Sequence, residues 1–331
     1  MSLPQSIFIF GELLIRLSSK GDDLLDEAEG ATLYPGGSEA NVAASLAQFG
    51  KKVSYYTVVP ENALASSALN HLSRLSVDTS KVLKTGSRLG LYFLLSANGL
   101  SSGAVIYDRK FSSFSNLSPG TTDWDVLMSG HTWFHWSALT PALNPELAIV
   151  MLEALEAAKR NGLKVSVDLN YRNRLWDYGK QPIEVMPALV QYCHVIMGNI
   201  WAADKMLGAG VDVSLDRNTS AEKYFEHACS SAKNIFEAYP NCEHVANTYR
   251  FMDNPSHNLF YGTYHTRNDN FISDIKETND VLDRIGSGDA FMAGLIDAIV
   301  ENNTGQEIVD QATSAGFKKL FVKGDFGDGS Y

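Results

Sequence analysis

The chain has 331 residues, enough for roughly two average domains or for one large α/β domain with an appendage. Hydrophobic residues make up 45% and charged residues 20%, with no biased tract, which excludes disorder as the main state. Lys and Arg total 27 against 38 Asp and Glu, and the net charge of −11 argues against nucleic-acid or membrane partners, so any phosphate must be met by a local device.

In chain order, IFIFG (7–11) is a short apolar run closed by glycine and reads as a buried strand. From Glu12 to Pro35 the residues are mixed, with Gly21, Gly30 and Pro35-Gly36-Gly37 as breakers, which predicts exposed strands and turns forming part of a lid over about 12–35. Val42, Ser45, Leu46 and Phe49 recur at helical spacing and Gly50 stops them, predicting a helix over 39–49. VSYYTVV (53–59) follows as a strand. A second polar and aromatic section over about 88–118 holds two strand candidates, LYFLL and AVIYDR. Turns at Asn98-Gly99 and Ser101-Ser102-Gly103 separate them, and the section can pair with the first lid segment.

Beyond it, strands and helices alternate. HTWFHWS (131–137) precedes a helix over 145–161, with Asn144 as its cap, Pro145 in its first turn and Gly162 after it. LKVSVDLN (163–170), VIMGN (195–199) and HVANT (244–248) are strands that finish in polar residues. Alternation of this kind predicts a mostly parallel sheet with crossover helices, whose ligands gather at the strand carboxyl ends. Cys193, Cys229 and Cys242 form no C-x-x-C pair and suggest neither a disulfide scaffold nor a zinc site. The start lacks a basic segment followed by a long apolar run, which sets the expectation of a cytoplasmic protein.

The most informative stretch is DRIGSGDAFMAGL (283–295). Small residues there let the N–H groups of Gly286, Ser287 and Gly288 turn toward an anion, and the helix N-terminus that follows adds positive potential at the same place. Asp289, in the first turn, can accept the proton of a hydroxyl attacking a phosphoryl group. The plainer alternative is a capped helix start with Ser287 or Asp289 satisfying free amides. Phe291 at the sixth position breaks the dinucleotide fingerprint, and Gly50-Lys51-Lys52 and Gly179-Lys180-Gln181 lack the Ser or Thr of a Walker loop.

A second glycine motif, PGGSEANVAASLAQFG (35–50), lies near the other end of the chain. Together the two motifs resemble the signatures of the ribokinase-like (PfkB) family of carbohydrate kinases, and the resemblance spans essentially the whole chain. It implies one kinase domain over 1–331 with a ribokinase-like three-layer α/β/α fold, a mostly parallel sheet and a small β-sheet lid. It also implies that Gly36, Gly37 and Asn41 contact sugar hydroxyls, that Gly286 and Gly288 build the anion hole and that Asp289 is the base, with ATP and Mg²⁺ as cofactors.

Within the family, Tyr107-Asp108-Arg109, DLNYRNRLW (168–176) and FHWSALT (134–140) are similar to 2-keto-3-deoxygluconate kinases. A sugar acid carries a carboxylate, which the planar fork of arginine grips with two parallel hydrogen bonds. Arg109 is the candidate, with Tyr107 and Tyr92 beside it; the alternative is a lid arginine paired with Asp108 or Asp125. Asn170 and Arg172 alternate onto one side if the strand continues, and the resemblance gives Arg172 a place bridging ATP and the sugar acid. Asn199 and Thr248 complete the nucleotide side.

The pattern also departs from the family. Asn199-Ile200-Trp201-Ala202 has alanine where many relatives place a magnesium-organising glutamate, and Thr248-Tyr249-Arg250 stands where many have Thr-x-Gly. Asp204 and Glu12 remain water-mediated candidates, and the metal ligands stay unassigned. His131 and His135, about 13 Å apart on one strand face, are too distant to share an ion. The expected activity is phosphorylation of 2-keto-3-deoxy-D-gluconate at its 6-hydroxyl. The alternatives are another sugar kinase of the family or a non-catalytic sugar-binding protein of the same fold. Exposed lid edges raise a possible homodimer through the lid strands.

Overall fold

The computed structural model describes residues 5–19, 30–95 and 105–330. The first half runs β1 (Ser6–Phe10), β2 (Leu14–Ser19), β3 (Ala31–Gly36), α1 (Ser38–Gln48), β4 (Lys52–Tyr56), β5 (Val58–Val59), α2 (Ala63–Arg74), β6 (Leu83–Lys84), β7 (Gly90–Leu94), β8 (Val105–Asp108), α3 (Trp124–Met128), β9 (Trp133–Ser137) and α4 (Pro145–Arg160). The second half runs β10 (Lys164–Asp168), α5 (Pro182–Val190), β11 (Val195–Met197), α6 (Ile200–Leu207), α7 (Ala221–Ala238), β12 (His244–Phe251), β13 (Asn258–His265), β14 (Asn270–Ile272), β15 (Lys276–Thr278), α8 (Ser287–Val300) and α9 (Gly305–Lys318).

The large sheet has the order β14-β13-β12-β11-β10-β9-β1-β4, with β15 also on β13, and is parallel from β12 to β4. Parallel strands are covered on both faces, so their residues are apolar on both. On β1, Phe8 and Phe10 enter one core with Phe134, Trp136 and the buried stripe of α4, while Ile7 and Ile9 enter the other with α1, α8 and α9. Three layers result. The expected cap at Asn144 is present, its side chain accepting from the Leu147 amide at 2.8 Å.

The small sheet has the order β3-β2-β7-β8, so the two predicted lid segments do pair: β2 runs parallel to β7 and antiparallel to β3. The predicted turns at Asn98-Gly99 and Ser101-Ser102-Gly103, and Gly21, lie outside the described residues.

One local expectation needs correction. VSYYTVV is not one strand: the chain leaves the large sheet after Tyr56, and Val58–Val59 pairs with β6 instead. The Thr57 side chain marks the break by accepting from the Leu13 amide. Pro35-Gly36 closes the first lid segment as the last two residues of β3, where Ile15 faces Pro35 and Leu14 faces Gly36. β3 is an edge strand, which tolerates proline's missing donor.

Candidate active site

A cleft of about 550 Å³ opens at the carboxyl ends of β10, β11 and β12, with the small sheet as its far wall. Two helix N-termini meet there. At the start of α1, Gly37 has φ 136°, and a Cβ would stand 2.2 Å from the Glu12 carbonyl, so only glycine allows this turn. At the start of α8, Gly286 is left-handed (φ 82°) and abuts the Asp325 carbonyl, so no side chain fits there either.

These turns set the geometry around Asp289, which lines the cleft with 8% of its surface exposed. Ser38 Oγ donates to Asp289 Oδ1 at 2.6 Å, and Asn41 Nδ2 donates to Oδ2 at 2.7 Å. Asn170 Nδ2 donates to Ser38 Oγ at 3.0 Å, and the Asn170 amide donates to Asp168 Oδ1 at 2.9 Å. The end of β10 and the first turn of α1 therefore hold the carboxylate together. Burial raises the Asp289 pKa above its usual range, against the pull of the Ser38 and Asn41 hydrogen bonds and of Arg172 and Lys319. A base that is tightly held and more basic than usual suits proton abstraction from an alcohol.

Of the predicted anion-hole amides, Ser287 N–H points to the Arg284 carbonyl at 3.3 Å. Among the described residues no chain acceptor takes the N–H of Gly286 or Gly288. The serine amide is thus spent in forming the turn, and the two glycine amides remain for an anion.

The other predicted residues are placed as follows. Gly37, Asn41, Tyr92, Tyr107, Arg109, Asn170, Arg172, Asn199 and Thr248 all line the cleft; Gly36 does not, and packs against Asp325 instead. Asn41 donates to Asp289, and its Oδ1 is buried without a partner among the described residues. Asn199 caps α6, accepting from the Ala202 amide at 2.8 Å. Asn170 and Arg172 share the cleft, but not by strand alternation: β10 ends at Asp168 and Asn170 turns to φ 20°.

Arg109 departs most from expectation. It is 4% exposed, and its Nε donates to Glu12 Oε2 at 2.5 Å, while Ser112 donates to the other Glu12 oxygen. Asp108 is paired with Arg88, and Asp125 with Arg160, so the sequence-based alternative also named the wrong partners. Glu12 had no motif to mark it, since it meets Arg109 only when β2 folds beside β7. With Glu12 committed there and Asp204 off the cleft wall, neither metal candidate lines the cleft. Among the described residues, no three His, Cys, Asp or Glu side chains converge to hold an ion. Asp168 does line the cleft, and one carboxylate suffices for a magnesium ion that keeps most of its waters.

Several site residues were not found from sequence. Ser38 and Asp168 lay inside the quoted motifs, but their roles need the fold. Tyr92 OH donates to Asp325 Oδ2 at 3.2 Å, and Arg16 joins Asp283 (Nη2–Oδ2 2.8 Å) and Asp325 (Nε–Oδ2 3.1 Å) while covering the Tyr34 ring. This ties the small sheet to the loop before α8 and to the glycine-rich 324–329 segment, whose glycines were the available signal.

Burial also pushes three acidic groups up to about 7: Glu39, Asp168 and Asp325. Each binds its proton more tightly in the folded chain than in the unfolded one. The stabilising contribution of these three groups is therefore full below about pH 4, is lost as pH rises toward 7 and levels off above. Glu39 Oε1 accepts from both the amide and the hydroxyl of Ser137, contacts that a glutamine oxygen can keep. We expect Glu39→Gln to flatten the decline, read from urea unfolding at pH 5 and pH 7.5; an unchanged slope would remove Glu39 as its source.

A buried carboxylate in the first turn of α8, free glycine amides at the same helix start and a wall of hydroxyl-bearing side chains suit a phosphotransferase with an alcohol acceptor. The chain belongs to the pfkB family of carbohydrate kinases, whose family model matches residues 4–232. The 2-dehydro-3-deoxygluconokinase of Thermotoga maritima superposes with a TM-score of 0.88 at 30% identity, over 98% of this chain and 95% of that one. A 5-dehydro-2-deoxygluconokinase of Clostridium tetani is 29% identical over 283 residues, covering 82% of this chain and 81% of its own. A 2-dehydro-3-deoxygalactonokinase of Haloferax volcanii is 28% identical over 174 residues, a match spanning only 53% of this chain and 54% of that relative. No helix among the described residues is long and apolar enough to cross a membrane.

Proposed function

We propose that this sugar kinase transfers the γ-phosphoryl group of ATP to the 6-hydroxyl of 2-keto-3-deoxy-D-gluconate. The observation that carries the reading is the Asp289 carboxylate beside the free Gly286 and Gly288 amides, in a cleft whose other wall bears Tyr92, Tyr107 and Arg109. The likeness to the Thermotoga kinase over nearly the full chain supports the choice of a keto-deoxy sugar acid.

In this mechanism the sugar hydroxyl shares Asp289 with Ser38 and Asn41 and gives up its proton to that carboxylate. The Gly286 and Gly288 amides, the α8 N-terminus and Arg172 stabilise the charge developing on the transferred group. Asp168 would hold a magnesium ion through water, and that ion would supply charge neutralisation for the ATP phosphates. The small sheet acts as a lid that excludes water from the cleft. Arg109, steered by Glu12, orients the acid end of the sugar beside Tyr107. Asn41 and Gly37 hold its hydroxyls, and Asn170, Asn199 and Thr248 line the nucleotide side. The whole chain acts as one kinase unit, in a cytoplasmic setting.

A coupled ADP-release assay over sugar acids and neutral sugars tests the reading: turnover is expected with the keto-deoxy acid, and a preference for neutral sugars would overturn the substrate assignment. We further propose a homodimer through the lid. Leu17, Leu33, Phe93 and Ile106 stand in one row across its four strands, and Leu33 and Ile106 are 55% and 49% exposed. Leu33→Glu with Ile106→Glu should halve the mass found by light scattering, and a wild-type monomer would refute the dimer.

A further inference from the structure

Three guanidinium groups converge on the turn that opens α8. Arg172 arrives from the segment after β10, Arg250 from the carboxyl end of β12, and Arg284 from the loop that leads into the turn; all three line the cleft. Among the described residues none of them forms a salt bridge with a carboxylate. Their hydrogen bonds run to neutral acceptors. Arg172 donates to the Tyr171 carbonyl, and Arg284 to the carbonyls of Asn254 and His257. Arg284 is 6% exposed, and its Nε is buried with no partner.

Arg250 stands closest to the chemistry. Its Nη1 donates to Ser287 Oγ at 3.1 Å and reaches the Arg284 carbonyl at 3.5 Å, so its planar head lies against the same turn that offers the Gly286 and Gly288 amides. Among the described residues its hydrogen bonds use that one nitrogen, which leaves Nε and Nη2 for a ligand. The side chain is exposed to the cleft. Partial desolvation there, with Arg172 and Arg284 adding like charge, lowers its pKa, and it remains a cation at neutral pH. Asp168 and Asp289 act on Arg172, and Asp283 acts on Arg284, but among the described residues no carboxylate pairs directly with any of the three, and a multiply charged anion entering the cleft would relieve the repulsion among them. Guanidinium forks match the oxygens of a phosphate chain, and two fixed amides lie beside them.

We propose that Arg250 is a further catalytic residue, which grips the polyphosphate of the phosphoryl donor and, with Arg172 and Arg284, holds it against the Gly286–Gly288 turn. The donor's identity as ATP rests on the kinase reading above; the polyphosphate site does not. In the reaction Arg250 keeps the terminal phosphate in line with the hydroxyl held by Asp289 and takes up part of the charge that shifts onto the leaving phosphate.

The test is calorimetric binding of inorganic tripolyphosphate to the full chain, with Arg250→Ala, Arg250→Lys and Ser287→Ala. Wild type should bind it, Arg250→Ala should weaken binding at least tenfold, and Arg250→Lys should recover part of the loss. Ser287→Ala keeps the amide and removes only the hydroxyl that Arg250 touches, so its loss should be the smaller. In turnover, Arg250→Ala should raise the KM for ATP at least tenfold and leave the KM for the sugar within threefold. Unchanged tripolyphosphate binding in Arg250→Ala, or an equal loss in Ser287→Ala, would reduce Arg250 to a brace for the turn and overturn the proposal. If tripolyphosphate binds in an Arg250-dependent way but no sugar acid is phosphorylated, the kinase substrate reading fails and the arginine site stands.

Discussion

Asp289→Asn is expected to lower kcat about 10³-fold, the central range for losing a general base, while leaving the fold and ligand binding in place. The amide is nearly isosteric, and the site can accept it. Ser38 still donates to the remaining oxygen, and Asn41, whose Oδ1 is buried without a partner, can turn its amide so that this oxygen accepts from the new N–H. The thermal midpoint should therefore move little, which separates lost chemistry from lost structure. Burial raises the Asp289 pKa, so the acid limb of wild-type kcat should lie above the range of an ordinary aspartate, with activity falling as pH drops and the base becomes protonated. Saturating both substrates in the ADP-release assay measures the effect; a kcat within tenfold of wild type would mean that Asp289 is not the base.

The second large effect concerns stability and is expected at Arg16. Its side chain is 2% exposed and lies between Asp283 and Asp325, with Tyr34 stacked over it. Arg16→Met fills a similar volume but leaves two acidic groups without their counter-charge, and breaking a buried pair from one side costs about 3–5 kcal/mol. For a chain of this size that corresponds to a fall in thermal midpoint of roughly 4–7 °C. The deficit should shrink on acidification. Burial already pushes Asp325 up to about 7, so at pH 5.5 it is mostly protonated and needs the arginine less than at pH 8. Thermal scans at both values decide the matter: equal midpoints for variant and wild type at pH 8 would show that the small sheet does not depend on this anchor.

Much of the fold was readable in advance because it rests on short-range rules. The 145–161 helix had its cap, its first-turn proline and its apolar stripe within seventeen consecutive positions, and it lies where those signals put it. The paired lid segments and the glycine turns at 36–37 and 286–288 follow from backbone requirements that are visible in a handful of residues. The same reasoning failed at Val58–Val59, where continuing apolar character hid a change of sheet, and at Asn170, where alternation was extended past the end of a strand.

The sequence by itself determined where the turns fall, which helix begins beside an acidic residue, and which family of carbohydrate kinases the chain resembles. Only the tertiary structure decided how the charges pair. It joins Arg109 to Glu12 instead of to a neighbour on its own strand, binds Ser38 and Asn41 to Asp289, and brings Arg16 to Asp283 across 267 positions. Backbone conformation and helix dipoles are set by adjacent residues. The ionisation and partner of a buried side chain depend on whatever the fold packs around it, and nothing in the local sequence carries that information.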